Sequence, residues 1–285
     1  GKFYVWSKKQ IKEILGENAD LFCLFYDVTD GGNWEGNNIL CNNLNLSTVA
    51  FNFGITEQRV QEILTSCSEK LLKVRSTRIS PGLDDKILVS WNSLMITAFA
   101  KGYCVTNNAN YLDAAINCIS FIENNLFDNG KLLRTYKNGT AKIDGYLEDY
   151  SYFINALLDV FEIKPDSKYL KMALKLGHHL VNHFWDSSDN SFFMTSDSHE
   201  KLIIRPKSNY DLSLPSGNSV SSFVMLRLFH FSQEQKFLEI VTKILESQAQ
   251  KAAENPFGFG YLLNTLAIYL EKPVEITIIN TENSD

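Results

Sequence analysis

The strongest constraint on this chain is an internal repeat. "YLDAAINCISFIENNLFDNGKLLRTY", starting at Tyr111, and "YLKMALKLGHHLVNHFWDSSDNSFFMT", starting at Tyr169, follow one plan at an offset of 58 residues, from 111 to 169. Each opens on Tyr-Leu and repeats apolar residues at steps of three and four. Each closes on an aromatic and an acid, Phe127-Asp128 and Trp185-Asp186. A third copy starts at Phe237-Leu238. Steps of three and four put the apolar residues on one stripe of a helix, so each copy is a helix with a solvent face. The stretches upstream, "WNSLMITAFAKGYCVTNNAN", "DYSYFINALLDVFEIKPDSK" and "GNSVSSFVMLRLFHFSQEQK", are apolar nearly all round until a short polar loop. A helix of that kind is buried on most sides. The repeating unit is therefore an inner helix, a tight turn and an outer helix. Gly260–Leu270 reads as a further inner helix, and Thr56–Arg75 as a further outer one.

Stacked αα-hairpins close into an α/α toroid or extend as an open superhelix. The long connections, such as "LFDNGKLLRTYKNGTAKIDGYLED" and "FFMTSDSHEKLIIRPKSNYDLSLPSGN", favour the toroid, because solenoid repeats use short turns there. Their strand-like pieces, "KLLRTY", "FFMT" and "KLIIRP", predict short β-hairpins in the long loops. The fold class is mainly α. The helical barrel occupies 1–271, and 272–285 form a C-terminal strand and tail.

Counting back equally from Tyr111, Tyr169 and Phe237 lands on Trp91-Asn92, Asp149-Tyr150 and Gly217-Asn218. "DDKILVSWN", "GYLEDYS" and "DLSLPSGNS" thus occupy one structural position, the N-terminal mouth of an inner helix. Helix N-termini expose unpaired N–H groups and a partial positive potential, and they tolerate carboxylates and polar ligands alike. The mouths supply Asp84, Asp85, Trp91, Asn92, Glu148, Asp149, Tyr150, Asp211, Ser216 and Asn218. Carboxylates, amides, hydroxyls and stacking aromatics suit a small carbohydrate or other polyhydroxy ligand. Two opposed carboxylates would serve as general acid and base at a glycosidic bond, with Asp85 and Asp149 as the pair and Asp211 in reserve. Arg205 and Lys207 add a cationic clamp. Ser, Asp and Asn before a helix are also ordinary N-caps, and Ser90 and Ser216 suit that role best.

"YDVTDGGNWEGNNIL" has acids near a Gly-Gly turn but misses EF-hand spacing. It reads as an ordered loop over the barrel mouth that brings Trp34 and Glu35 near the site. Ser7 and Gly16 mark the start and stop of a helix. His179 and His183 stand four apart on an outer helix but lack a third ligand, so neither metal nor cofactor is expected. The five cysteines form no C-x-x-C pair and sit mostly among apolar neighbours, as reduced thiols in a cytoplasmic compartment do. A net charge of −6 argues against a nucleic-acid partner. No apolar run has membrane-spanning length, which argues against a membrane protein. The opening "GKFYVWSKKQ" has no Met and no signal-peptide pattern, as expected of a stretch from within a longer protein.

"GKFYVWSKKQIKEILG", "GNWEGNNIL", "DDKILVSWNSLMITAFA", "YLEDYSYFINALLDVFE" and "IIRPKSNYDLSLPSGNSVSSFVMLRL", in this order and across almost the whole chain, resemble the C-terminal barrel of the thioredoxin-domain-containing DUF255 family of YyaL-like and spermatogenesis-associated-protein-20-like proteins. The resemblance implies an (α/α)6 toroid of the six-hairpin glycosidase class, incomplete here at its N-terminus, and a thioredoxin-like domain as partner in the longer parent chain. It also implies a fold similar to N-acylglucosamine 2-epimerases, whose catalytic histidine pair has no counterpart in this sequence. The leading expectation is a carbohydrate-active or carbohydrate-binding barrel, in its enzymatic form a glycoside hydrolase. The alternatives are a non-catalytic interaction module working with the thioredoxin-like domain, and a sugar isomerase or epimerase.

Overall fold

A computed structural model describes residues 1–200, 203–271 and 274. Apart from Val274, the strand and tail expected over 272–285 lie outside the described residues. The chain divides into two compact units, Gly1–Asp84 and Asp85–Asp285.

In the first unit, Ser7 opens α1 (Lys8–Leu15). Its hydroxyl accepts from the Gln10 N–H and the Gln10 side chain accepts from the Ser7 N–H, a capping box. Gly16 ends the helix at φ 58. Then follow α2 (Ala19–Phe25), α3 (Leu46–Phe53) and α4 (Glu57–Ser76). Val60, Leu64, Cys67 and Leu71 form the single buried stripe of α4, as an outer-helix pattern requires. They pack with Trp6, Ile11, Phe22 and Val49. The loop after α2 is held by Asn33, whose side chain bonds the Asp27 carbonyl and both backbone groups of Ile39.

The second unit alternates inner helices α5 (Val89–Thr106), α7 (Leu147–Ile163), α9 (Gly217–Ser232) and α11 (Gly260–Glu271) with outer helices α6 (Ala109–Asn125), α8 (Ser167–His183) and α10 (Gln235–Glu254). The short strands are β1 (Ile87–Leu88), β2 (Phe127–Asp128), β3 (Lys131–Lys137), β4 (Thr140–Asp144), β5 (Trp185–Asp186) and β6 (Ser191–Phe192). The 58-residue repeat is structural. Helices α5 and α7 begin at 89 and 147, α6 and α8 at 109 and 167, and β2 and β5 at 127 and 185. Helix α7 is buried along almost its whole length because α5, α6, α8 and α9 all pack on it. The other apolar helices are not uniformly inner. Helix α5 buries Val89, Ser90, Ser93, Ile96 and Ala100 but leaves Trp91 62% exposed. Helix α11 buries only Leu262 and Thr265. Within the unit each has one inner neighbour, α7 or α9, so one face stays uncovered.

Strand β3 pairs antiparallel with β1, β2 and β4. The β2–β3 and β3–β4 turns are Asn129-Gly130 and Asn138-Gly139, all four residues at positive φ. These are two-residue turns whose twist matches the strands. Strands β5 and β6 form a second hairpin. The expected strand at "KLIIRP" is absent over its described residues: Ile203 and Ile204 are exposed and pair with no strand. No described helix is long and apolar enough to cross a membrane.

Candidate functional site

The inner-helix mouths are joined by carboxylates. Asp149, fully buried in the first turn of α7, accepts from the Tyr146 N–H at 2.9 Å, the Ser90 N–H at 3.1 Å and the Arg134 guanidinium at 2.9 Å. Tyr146 caps α7 and Ser90 lies in the first turn of α5, so one carboxylate satisfies orphan donors of two helices. Burial pushes the Asp149 carboxyl above its ordinary range, opposed by Arg134 and the N–H groups. Asp211 repeats the device. It accepts from the Ser216 N–H at 2.8 Å and the Tyr261 N–H at 2.8 Å, tying the starts of α9 and α11. Ser216 is the N-cap of α9, but Ser90 is not the cap of α5. That helix begins after Leu88, and the Ser90 hydroxyl is buried without a partner.

The three candidate acids are engaged in three different ways. Asp85 is half-exposed and ion-paired to Lys137 at the end of β3, while Asp149 is sealed beneath Arg134 and Asp211 is engaged by two backbone N–H groups. Asp84 is exposed. Asn92 turns back to donate to the Leu88 carbonyl at 2.8 Å. The buried Tyr150 hydroxyl accepts from the Leu132 N–H at 3.0 Å, and its ring stacks on His179 at 4.9 Å. Burial pushes this phenol up to about 12. Asn218 pairs with both backbone groups of Phe192, at 2.7 and 2.9 Å, as a neighbouring strand would.

The expected cationic clamp is tied into the protein. The Arg205 guanidinium lies 3.9 Å from the Phe193 ring centre and donates to the His183 and Thr195 carbonyls. Lys207 bonds Asp186 at 2.6 Å and Asp189, holding the Asp186 carboxyl well below its usual range. Trp34 and Glu35 belong to the first unit, both exposed, with Glu35 at φ 47. Among the described residues no three His, Cys, Asp or Glu side chains are placed to hold a metal. All five cysteines are free.

A cavity of about 240 Å³ opens where α7 and α9 begin. Tyr146, Glu148, Met194, Ser208, Tyr210 and Ser216 line it. Its rim is fixed from behind by the Tyr152 hydroxyl, which donates to the Pro215 carbonyl. Glu148 is the single carboxylate in the lining, one-third exposed and bonded to Arg134 at 2.8 Å. The guanidinium also sits 4.5 Å from the Tyr146 ring centre. Opposite Arg134 the β3–β4 ladder lacks a pair, and Ile143 there adopts φ 66, a strained conformation for a β-branched residue. Sequence reasoning singled out Glu148 and Ser216 but missed Arg134, Tyr146, Ser208 and Tyr210. "GYLED" and "KSNYD" did place both tyrosines next to candidate acids.

No family model matches the chain. Among curated proteins, spermatogenesis-associated protein 20 of Homo sapiens is 28% identical over 98% of this chain, and its Mus musculus counterpart 26% over 98%. The chain is homologous to spermatogenesis-associated protein 20. An uncharacterized protein of Caenorhabditis elegans is 29% identical over 95% of the chain. The chain spans 39% of the length of each of these relatives. Among solved structures, a family 76 α-mannanase of Bacteroides thetaiotaomicron matches with TM-score 0.53 at 15% identity, over 80% of this chain and 67% of its own. A cellobiose 2-epimerase of Bacillus thermoamylovorans matches with TM-score 0.52 at 13% identity, over 72% of this chain and 58% of its own. The fold is thus that of the (α/α)6 six-hairpin class.

Proposed function

We propose that the mouth between α7 and α9 binds a small neutral polyhydroxy ligand, a carbohydrate, without hydrolysing it. The observation that carries this reading is the composition of the cavity: hydroxyls of Tyr146, Ser208 and Tyr210 around the Glu148 carboxylate, over the apolar surface of Met194 and Leu147. Hydroxyls and a carboxylate grip sugar hydroxyl groups, while apolar and aromatic surface takes the C–H face of the ring. The α-mannanase and the cellobiose epimerase that share the fold act on sugars, which supports the ligand class.

Hydrolysis by paired carboxylates requires two accessible acids roughly 5–9.5 Å apart. The cavity lining offers Glu148 alone, and the neighbouring Asp149 is buried and fully engaged. This favours a binding module over a glycoside hydrolase, and fits the reading in which the barrel works alongside a thioredoxin-like domain of a longer chain. Titration calorimetry with a panel of neutral mono- and oligosaccharides tests the proposal. At least one sugar is expected to bind, with Glu148→Gln and Tyr210→Ala weakening it about tenfold or more, roughly 1.4 kcal/mol. Absence of binding by every sugar, in protein shown to be folded, would overturn the ligand class. Release of reducing ends from an oligosaccharide, lost in Glu148→Gln, would overturn the non-catalytic reading.

A further inference from the structure

A second, larger cavity lies further along the inner helices. It measures about 610 Å³, within the range of roughly 300–1,000 Å³ typical of small-molecule sites. Its α7 residues, Asn155, Asp159 and Glu162, stand seven to fourteen positions beyond Glu148, roughly 10–21 Å down the helix at about 1.5 Å per residue. No lining residue is shared with the mouth cavity.

One wall is fixed. Arg227 donates to the Asn155 side chain and to Asp159, each at 2.7 Å, and to Glu162 at 2.8 Å. Asp159 also accepts from Thr97 at 2.6 Å and Asn155 at 3.0 Å, so both of its carboxylate oxygens are engaged. Glu162 is different. It is 53% exposed, and its Oε2 has no bond among the described residues. Across the lining, the Lys101 ammonium, the Asn264 amide and the Tyr261 hydroxyl make no hydrogen bond or close ion pair among the described residues, although the Lys101 charge is felt by Asp159. His230 Nε2 is buried and unpartnered, which costs free energy unless something fills the position. Between these groups lie the apolar side chains of Phe223, Leu226 and Ile268.

The formal charges of Lys101, Arg227, Asp159 and Glu162 cancel, so the groove has no net preference for an ion of either sign. Its spare capacity is split instead: donors at Lys101, Tyr261 and Asn264, and a carboxylate acceptor at Glu162. A simple carboxylate would set its charge against Glu162, and a simple amine would set its own against Lys101. We infer that this groove binds a small zwitterion with an apolar body, of the class of a free aliphatic or aromatic α-amino acid. The ligand carboxylate meets Lys101 and the neutral donors, its ammonium meets Glu162, and its side chain covers Phe223 and Ile268. Burial pushes the Tyr261 phenol up to about 12, so it remains a neutral donor at ordinary pH.

The test is calorimetric titration of the full chain with leucine and phenylalanine, beside 4-methylpentanoate and isopentylamine, which each lack one charge of leucine, and the neutral sugar panel. One of the amino acids is expected to bind, with both truncated analogues at least tenfold weaker. Lys101→Met and Glu162→Gln should each weaken it by a similar factor, whereas Glu148→Gln at the mouth should leave it unchanged. Failure of both amino acids to bind folded protein would overturn the inference. So would equal binding of an analogue, or loss of binding in Glu148→Gln alone. Sugar binding abolished by Lys101→Met and Glu162→Gln would reassign the groove to carbohydrate, and would leave the mouth reading to be judged by Glu148→Gln.

Discussion

At the scale of single residues, burial decides chemistry more than residue type does. Glu148 and Asp149 are adjacent acids, yet the first lines a cavity and the second is sealed against two backbone N–H groups and Arg134. Sequence placed both at a helix mouth, but which one faces the cavity depends on where α7 meets α5 and β3. His179 shows the same dependence. Stacked on Tyr150 and beside His183, it is held down to about 4, by burial first and then by the neighbouring imidazole. The folded value lies below the ordinary 6.5, so the unfolded chain takes up a proton between 6.5 and about 4 that the folded chain refuses. Stability from this group is therefore complete above 6.5 and falls as pH drops through that window. Urea denaturation across it should show the decline, and His179→Phe, which retains a ring against Tyr150, should flatten it. An unchanged slope in the variant would place the pH dependence elsewhere.

At the scale of elements, the repeat was legible because a 3.6-residue period needs only local sequence to appear, and the strands at 127 and 185 obey it as the helices do. What joins one inner helix to the next was not legible. Asp149 and Asp211 look like self-contained caps in sequence, and each proves to bond the start of a second helix, α5 or α11. Asp149→Ala would leave Arg134 without its buried partner and strand two N–H groups. The expected loss is about 3–5 kcal/mol, the range for breaking a buried ion pair. Asp211→Ala removes two backbone bonds at a less buried site, with an expected loss of about 1–3 kcal/mol. The two carboxylates share no partner, so the double variant should be nearly additive. Urea midpoints would measure all three, and a cost below about 1 kcal/mol for Asp149→Ala would show that the α5–α7 junction is held by packing alone.

At the scale of the whole molecule, the two units meet in sequence at an exposed extended stretch in which Ile79 is 96% and Leu83 84% accessible. Limited chymotryptic digestion should cut first at Leu83 and leave a C-terminal piece that keeps its helical circular dichroism. First cleavage inside 89–271 would contradict that division. Whether the barrel expected over 1–271 takes in both units is not a question helix periodicity can answer, since it reports the faces of an element but not which elements share a core. By itself the sequence determined the alternation of apolar and amphipathic helices, the 58-residue spacing and the polar character of the helix mouths, all of which are local or periodic properties. Only the tertiary structure decided that Asp85 is paired to Lys137 while Asp149 and Asp211 are taken up by backbone N–H groups, that Arg205 and Lys207 are spent on carbonyls and carboxylates, and that Glu148 alone of these acids lines the mouth cavity. Those outcomes depend on partners remote in the chain, such as Ser90 for Asp149 and Tyr261 for Asp211, and a hydrogen bond between distant residues leaves no period in the sequence to read.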